Sequence, residues 1–408
     1  MRLHMWMCAS ALTLTPALIG QARLTLAEAV AEALAGNPQV ATAAARLAVT
    51  EGVRHQAGLS PNPRLFLQSE NARLNGSAPF SYPRDADSYA YLAQTIETGG
   101  KRQRRVEFAT ETVHRAGQEQ QLLRQQIASR VSLAYWMAAG SARSRDLLRR
   151  ESISFERVVQ FHRDRVREGA APEVDLLRVE VEHDRLTAAV RGAELDAERA
   201  SIVLFREMGK IEFQSVELSD ALESPLPISP LTIEEILDRR VEMGSARAAV
   251  EQAHANFHLQ QANAKVDIDA QLGYKRTAGF NTLYASVQIP LPIRNKNQGH
   301  IEAAIAEIRA AQSTLATTEA LVRSEVEGAK KDYGFRQRLL DETLRPMRER
   351  ASELFRIAEA AYREGGSDIL RLLDAERTKI ETQLAYTRTL YEFQQSAVAL
   401  SSAQGNLR

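Results

Sequence analysis

Arg167-Glu168-Gly169-Ala170-Ala171, running into Leu176-Leu177 and Glu180, is matched by Arg363-Glu364-Gly365-Gly366-Ser367, running into Leu372-Leu373 and Glu376. The leucine pair and the glutamate stand at the same offsets in both copies. Each copy interrupts a very long helical stretch, and each half of the chain also carries a pair of strand-like segments. A unit that occurs twice in 408 residues signals an internal duplication. Duplicated long helices and hairpins form the pattern of a tube that joins two compartments.

Working outward, the repeat spans each whole half. Leu24-Thr25 and Leu231-Thr232 are equivalent openings, each starting a short helix followed by a longer one, about Gln39 to Leu59 and about Ser245 to Ala264. The first repeat therefore covers 23–209 with its tip at 167–172, and the second covers 231–408 with its tip at 363–368. Residues 210–230, with Pro225, Pro227 and Pro230, form the linker. Arg102 to about Arg167 and Gly299 to about Arg363 each extend roughly 100 Å at 1.5 Å per residue. They return as Pro172 to Met208 and Asp368 to Gln404. Ile301, Ile305, Ile308, Leu315, Val322 and Val326 form a coiled-coil-like seam. Pro346 inside that helix is expected to kink or locally break it, because it removes a backbone donor and crowds the preceding turn.

The strands read most clearly at 267–277 and 281–290, around a turn at Thr277 to Asn281. Ile268, Ala270, Leu272 and Tyr274, then Leu283, Ala285, Val287 and Ile289, alternate with mostly polar residues. This suits a hairpin crossing an outer membrane, with lipid on one face and water on the other. A hairpin packed on a helical core has the same alternation. A weaker pair lies at 64–70 and 88–97. Four strands cannot close a barrel, and lipid does not tolerate an open sheet edge, so membrane-spanning hairpins would require an oligomer.

Composition narrows the classes. Lysine plus arginine and aspartate plus glutamate are 52 each, so the net charge is zero, which argues against a nucleic-acid binder. Arg2, the apolar run Met5 to Ile19 and Gly20-Gln21-Ala22 read as an export signal, residues 1–22, although a frayed apolar tail has a similar look. The one cysteine, Cys8, lies inside it without a convincing lipid-attachment box, so the mature chain has no thiol chemistry. No later segment reaches the ~20 apolar residues of a membrane helix. No HExxH, GxSxG or other catalytic constellation occurs, so no enzyme activity and no cofactor are expected. Glu251, His254 and His258 fall at i, i+3 and i+7 on one helical face, a spacing compatible with binding a metal ion, although a charged solvated face has the same pattern. Gly99-Gly100-Lys101 lacks the first glycine of a phosphate loop, because position 95 is Thr. The Lys101 to Arg105 cluster fits a membrane interface below the strands better.

Over nearly all of the mature sequence the chain resembles the outer-membrane efflux proteins of the TolC family. Gln94-Thr95-Ile96-Glu97-Thr98-Gly99-Gly100-Lys101-Arg102 and Ile289-Pro290-Leu291-Pro292-Ile293-Arg294-Asn295-Lys296-Asn297-Gln298-Gly299, at the two strand exits, resemble the CzcC-like subgroup that serves heavy-metal efflux. The resemblance implies a mainly α protein with a membrane β-barrel. Long α-helical hairpins would form a trimeric α-barrel tunnel, and four strands per protomer would contribute to a shared twelve-stranded barrel. It implies an outer membrane of a Gram-negative bacterium, a periplasmic adaptor and an inner-membrane pump of the resistance-nodulation-division type as partners, and metal cations as cargo.

The resemblance also assigns residues. Asp374 matches the position where the family's best-known member places an acidic ring at its narrowest point. Arg371 departs from that pattern, and one turn from Asp374 it brings ion pairs into the constriction. A solvated charged helix face is the plainer reading. Tyr362 and Asp175 match positions that link the helix pairs in the closed state, through a phenol–carboxylate hydrogen bond of about 1 kcal/mol. A tyrosine in a helix seam and an aspartate near a helix start need no such role. Gly169, Gly365 and Gly366 would meet the adaptor. Ile268, Leu272, Tyr274, Leu283, Val287 and Ile289 would face lipid. Two alternatives stand beside this one: the same fold exporting organic compounds or secreted polypeptides, and a soluble periplasmic coiled-coil adaptor.

Overall fold

The structure is a computed structural model describing residues 23–74, 78–213, 216–224, 227–228 and 230–406. The expected export signal, 1–22, lies outside the described residues, as does part of 210–230.

Both halves open with the same device. Thr25 caps α1 (Leu26–Gly36) and Thr232 caps α6 (Ile233–Arg239). Each threonine hydroxyl accepts from the backbone N–H three residues on, and the glutamate there, Glu28 or Glu235, accepts from the threonine N–H at 2.8 and 2.9 Å. Two orphan donors are satisfied at each start. A second helix follows in each half, α2 (Pro38–Ala57) and α7 (Val241–Asn263).

Strands come next: β2 (Arg64–Glu70), a single turn α3 (Tyr82–Asp85) and β3 (Asp87–Ile96), then in the second half β5 (Ile268–Thr277) and β6 (Phe280–Gln288). They form one antiparallel sheet in the order β2-β3-β5-β6. The β5–β6 turn is tighter than expected. Only Ala278 and Gly279 lie between the strands, both at positive φ (51° and 86°), as a two-residue hairpin turn requires.

The helical column is α4 (Lys101–Arg167) with α5 (Glu173–Glu207), and α8 (Gln298–Arg338) continuing into α9 (Arg345–Arg363), with α10 (Ile369–Ala403). The 67 residues of α4 extend about 100 Å. Between α8 and α9 the chain is not simply kinked. Residues Leu339–Leu344 form a π segment, in which the Arg345 N–H reaches back to the Leu340 carbonyl. The widened turn directly before Pro346 makes room for its ring, so the helix runs on past a residue that ordinarily breaks it.

The largest core lies midway along the column, where Ile127, Val131, Tyr135 and Trp136 of α4 meet Leu204, Leu340, Leu344, Leu390 and Phe393. Here Gly140 lets α4 and α10 touch, since a Cβ on it would stand 2.2 Å from the Tyr391 ring. Residues 210–230 are more than a connector. β4 (Glu217–Leu218) pairs in parallel with β1 (Arg23–Leu24), and the Tyr135 hydroxyl lies 3.0 Å from the Leu24 carbonyl and 2.6 Å from Asp220 Oδ2. A second core near the tips joins Phe155, Val159 and Val179 to Ile369, Leu372 and Leu373.

Candidate functional site

The sheet is two-faced. Register places Leu65, Leu92, Leu272 and Ala285 in one row and Leu67, Ala90, Tyr274 and Leu283 in the next, on the same face. This apolar face is uncovered, with Leu67 75%, Leu283 79% and Val287 65% exposed. Of the six residues expected on it, Leu272, Tyr274, Leu283, Val287 and Ile289 are exposed, Ile268 is half-buried, and Ile289 lies one residue past the strand end. The opposite face carries Gln271, Ser286, Lys275 and Thr282, with an aromatic row across it. Phe66 stacks on Tyr91 at 4.9 Å and Tyr91 leans on Tyr284 at 5.1 Å. Gly273 lies between the last two, where a Cβ would meet the Tyr91 backbone at 2.3 Å, so the rings cover a position that no side chain can fill.

All four helix–sheet junctions lie at one end of the sheet, and the strand-exit motifs build them. Gly99 and Gly100 adopt positive φ (67° and 73°) to swing β3 into α4. The Thr98 N–H donates to Asp267 Oδ1 at 3.0 Å, the Thr98 hydroxyl donates to the Val266 carbonyl, Lys101 Nζ meets Asp267 Oδ2 at 2.8 Å, and Arg105 pairs with Glu97. Asn297 (φ 60°) repeats the left-handed entry at α8, so the two motifs are corresponding corners of the two halves.

At the far end of the column the two tips reverse identically. Gly169 (φ 72°) donates to the Val166 carbonyl and Ala170 to that of Arg165; Gly365 (φ 79°) donates to Tyr362 and Gly366 to Ala361. This is a left-handed helix cap with the glycine where a side chain would be strained. Gly366 itself has no positive φ.

Arg371 and Asp374 are exposed on the first turns of α10, and Asp374 lines an open groove of about 590 Å³ with Val174, Leu177 and Leu370. The expected ion pair is not formed within the protomer: among the described residues no ion pair joins Arg371 to Asp374, and the nearby Arg377 is taken by Glu182 at 2.9 Å.

The expected Tyr362–Asp175 hydrogen bond is not made either. The Tyr362 hydroxyl shares a 2.9 Å hydrogen bond with His162 Nε2 and accepts from Arg165 Nη1 at 3.3 Å, while Asp175 pairs with Arg178 at 3.5 Å. Burial first, then the neighbouring Arg165, holds the His162 imidazole below its usual range, with Asp175 acting in the opposite sense.

His162 and Glu376 are the residues that reading for function passed over. His162 follows Phe155 and Val159 at seam spacing and is 1% exposed, with Nδ1 unpartnered. Glu376 follows Ile369, Leu372 and Leu373, is 5% exposed, and has no partner for Oε2. Its neighbour Lys379 is bonded to Glu151 at 2.7 Å and rests over the Phe355 ring. Burial pushes the Glu376 carboxyl up to about 7. A titratable residue at an apolar seam position was the available signal for both.

Among the described residues no group of three or more His, Cys, Asp or Glu side chains is gathered to hold a metal ion. Among them, too, no helix is long and apolar enough to cross a membrane.

Residues 29–210 and 232–406 match the profile of a family described as "Outer membrane efflux protein". The chain is 26% identical over 388 residues to the cobalt-zinc-cadmium resistance protein CzcC of Cupriavidus metallidurans, covering 94% of this chain and 90% of that one. It is 26% identical over 239 residues to the cation efflux system protein CusC of Escherichia coli, covering 55% of this chain and 51% of that one. The fold superposes on the open state of the MtrE outer membrane channel of Neisseria gonorrhoeae with a TM-score of 0.77 at 17% identity, covering 94% and 89% of the two chains.

Proposed function

The chain belongs to the outer membrane efflux protein family, and from that premise we propose that it is the exit duct of a tripartite system expelling heavy-metal cations from a Gram-negative cell. One observation carries the duct reading: a four-stranded sheet with a bare apolar face and, among the described residues, two unpaired edges, β2 and β6, at the end of a long helical column. Lipid satisfies the face but not the edges. Three copies pairing β6 to β2 give a closed barrel of twelve strands, and the helices continue it as a tunnel across the periplasm. In this reading 23–209 and 231–408 are tandem repeats around the 210–230 connector, preceded by a cleaved signal. The cargo is argued from the relatives, one named for cobalt, zinc and cadmium resistance and one for cation efflux.

The tips at Gly169, Gly365 and Gly366 are where an adaptor would engage, with a resistance-nodulation-division pump behind it supplying energy. The gate is assigned to the first turns of α10 and the seam beside them. Three copies of Asp374 around the axis would concentrate a negative potential on passing cations, and Arg371 would temper it. Tyr362 would act through His162 and not through Asp175, which supports the start of α5.

Planar-bilayer conductance tests the duct. Wild-type protein should conduct weakly, Asp374→Ala should lose cation preference, and Arg371→Ala should gain it. Absence of conductance together with recovery in the soluble fraction would refute the duct. Loss of the gene should sensitise cells to cobalt, zinc or cadmium. Sensitivity to organic compounds alone would overturn the cargo and leave the channel standing.

A further inference from the structure

The apolar alternation of β6 does not stop with the strand. It continues through Ile289, Leu291 and Ile293, separated by Pro290 and Pro292, and the last two are 75% and 77% exposed. Arg294 and Lys296 follow directly, both exposed. At the same end of the sheet stand Lys265 and Arg102, also exposed; Arg102 Nε is satisfied by the Gly58 carbonyl. Among the described residues none of these four cations has a carboxylate within ion-pair distance. Of the carboxylates at this level, Glu97 is engaged by Arg105, Asp267 by Lys101, Glu107 by Arg104, and Asp269 by Thr95 and Arg64, whereas Glu302, exposed near the start of α8, forms no ion pair among the described residues. The opposite end of the sheet is mixed: Arg84 is paired with Asp85 and Lys275 lies over the Tyr89 ring, whereas Arg73 and Arg276 form no ion pair among the described residues, so what sets the junction end apart is its apolar wedge beside the free cations.

We propose that the junction end of the sheet is a docking surface for anionic phospholipid head groups. Leu291 and Ile293 enter the acyl layer, and Arg294, Lys296, Arg102 and Lys265 meet the phosphates. The inference rests on the reading that the sheet lies in a membrane and adds the chemistry of the leaflet at its junction end. The apolar wedge continues the lipid-type face of the sheet, and flexible cations beside apolar surface take the geometry of interfacial anchors. The charge argument selects the anion. Among the described residues four unpaired cations outnumber the free carboxylate at this level, Glu302, and each Lys or Arg near an anionic surface strengthens attachment about fivefold. A neighbouring copy would bring the same excess of free cations over free carboxylates.

The test is insertion of the full-length protein into phosphatidylethanolamine vesicles with phosphatidylglycerol, or with phosphatidylcholine instead, scored by flotation and by conductance. Wild type should insert about tenfold better with phosphatidylglycerol, and high salt should erase the difference. Arg294→Gln with Lys296→Gln should lose most of the preference, whereas Lys275→Gln at the opposite end should keep it. Equal insertion into both vesicles, or an unchanged preference in the double variant, overturns the lipid assignment while leaving the membrane reading intact. Insertion into neither overturns both. If Leu291→Ser with Ile293→Ser abolishes oligomers in lipid-free detergent, the wedge is a subunit seam and the proposal fails.

Discussion

Replacing Glu376 with glutamine removes one proton from the thermodynamics of the tip and should stabilise it increasingly as pH rises from 4.5 to about 7, with the full gain above that. The carboxyl is buried among the leucines of α10, its Oε2 has no partner, and burial raises it from 4.5 to about 7, against the pull of Lys379. Glu151, Glu359 and Glu182 add like charge. The sign follows from which state releases its proton first. An unfolded glutamate ionises near 4.5 and the buried one near 7, so between these values folding takes up a proton and stability falls as pH rises. The contribution is complete below 4.5 and gone above about 7. At 1.36 kcal/mol per pH unit that interval amounts to about 3 kcal/mol. Glutamine keeps the shape and never ionises. Native-state hydrogen exchange of the first turns of α10, compared between wild type and Glu376→Gln at matched pH, reads this locally. The protection ratio should be near one at about pH 4 and approach ~100 at about pH 8. A ratio independent of pH, or weaker protection in the variant at high pH, would refute the assignment of Glu376 as a neutral buried acid.

His162 predicts the opposite limb. Its imidazole is held low, so the stability it contributes is present above its ordinary value near 6.5 and lost as pH falls through the depressed one. Acidification should therefore loosen the tip and raise conductance, and His162→Gln should flatten that response. Gly140→Ala places a methyl against the Tyr391 ring and should cost ~1–3 kcal/mol in thermal unfolding of the purified protein. Leu272→Lys on the apolar face should impair assembly in bilayers by ~2–4 kcal/mol, whereas Ser286→Lys on the opposite face should be tolerated, as heat-modifiable mobility on gels would report.

Much of this architecture could be read directly from the residues. Period-two alternation located β5 and β6 within a residue or two, because a sheet with one apolar face leaves no freedom of register. The tip glycines announced the reversals, since only a left-handed residue caps a helix in that way. What stayed hidden was pairing across long separations. The resemblance implies Asp175 as the partner of Tyr362, yet a histidine 200 residues away occupies the place, and helical periodicity does not identify the residue facing it. The π segment was invisible for a related reason. Proline signals a disturbance of the helix, but whether the chain bends or widens depends on the Leu340 and Leu344 side chains filling the core beneath. The parallel strand inside 210–230 was too short, at two residues, to show any periodicity.

That short strand bears on how the chain reaches its native state. Arg23 bonds Glu217, and the Leu26 N–H bonds Asp220, 194 positions further on in each case. A chain made from its amino end has no partner for that end until 194 further residues have followed. The mid-column core must therefore close late. Contacts of such long sequence separation form slowly. Two residues of β-pairing thus tie completion of the mid-column core to the arrival of the 210–230 segment.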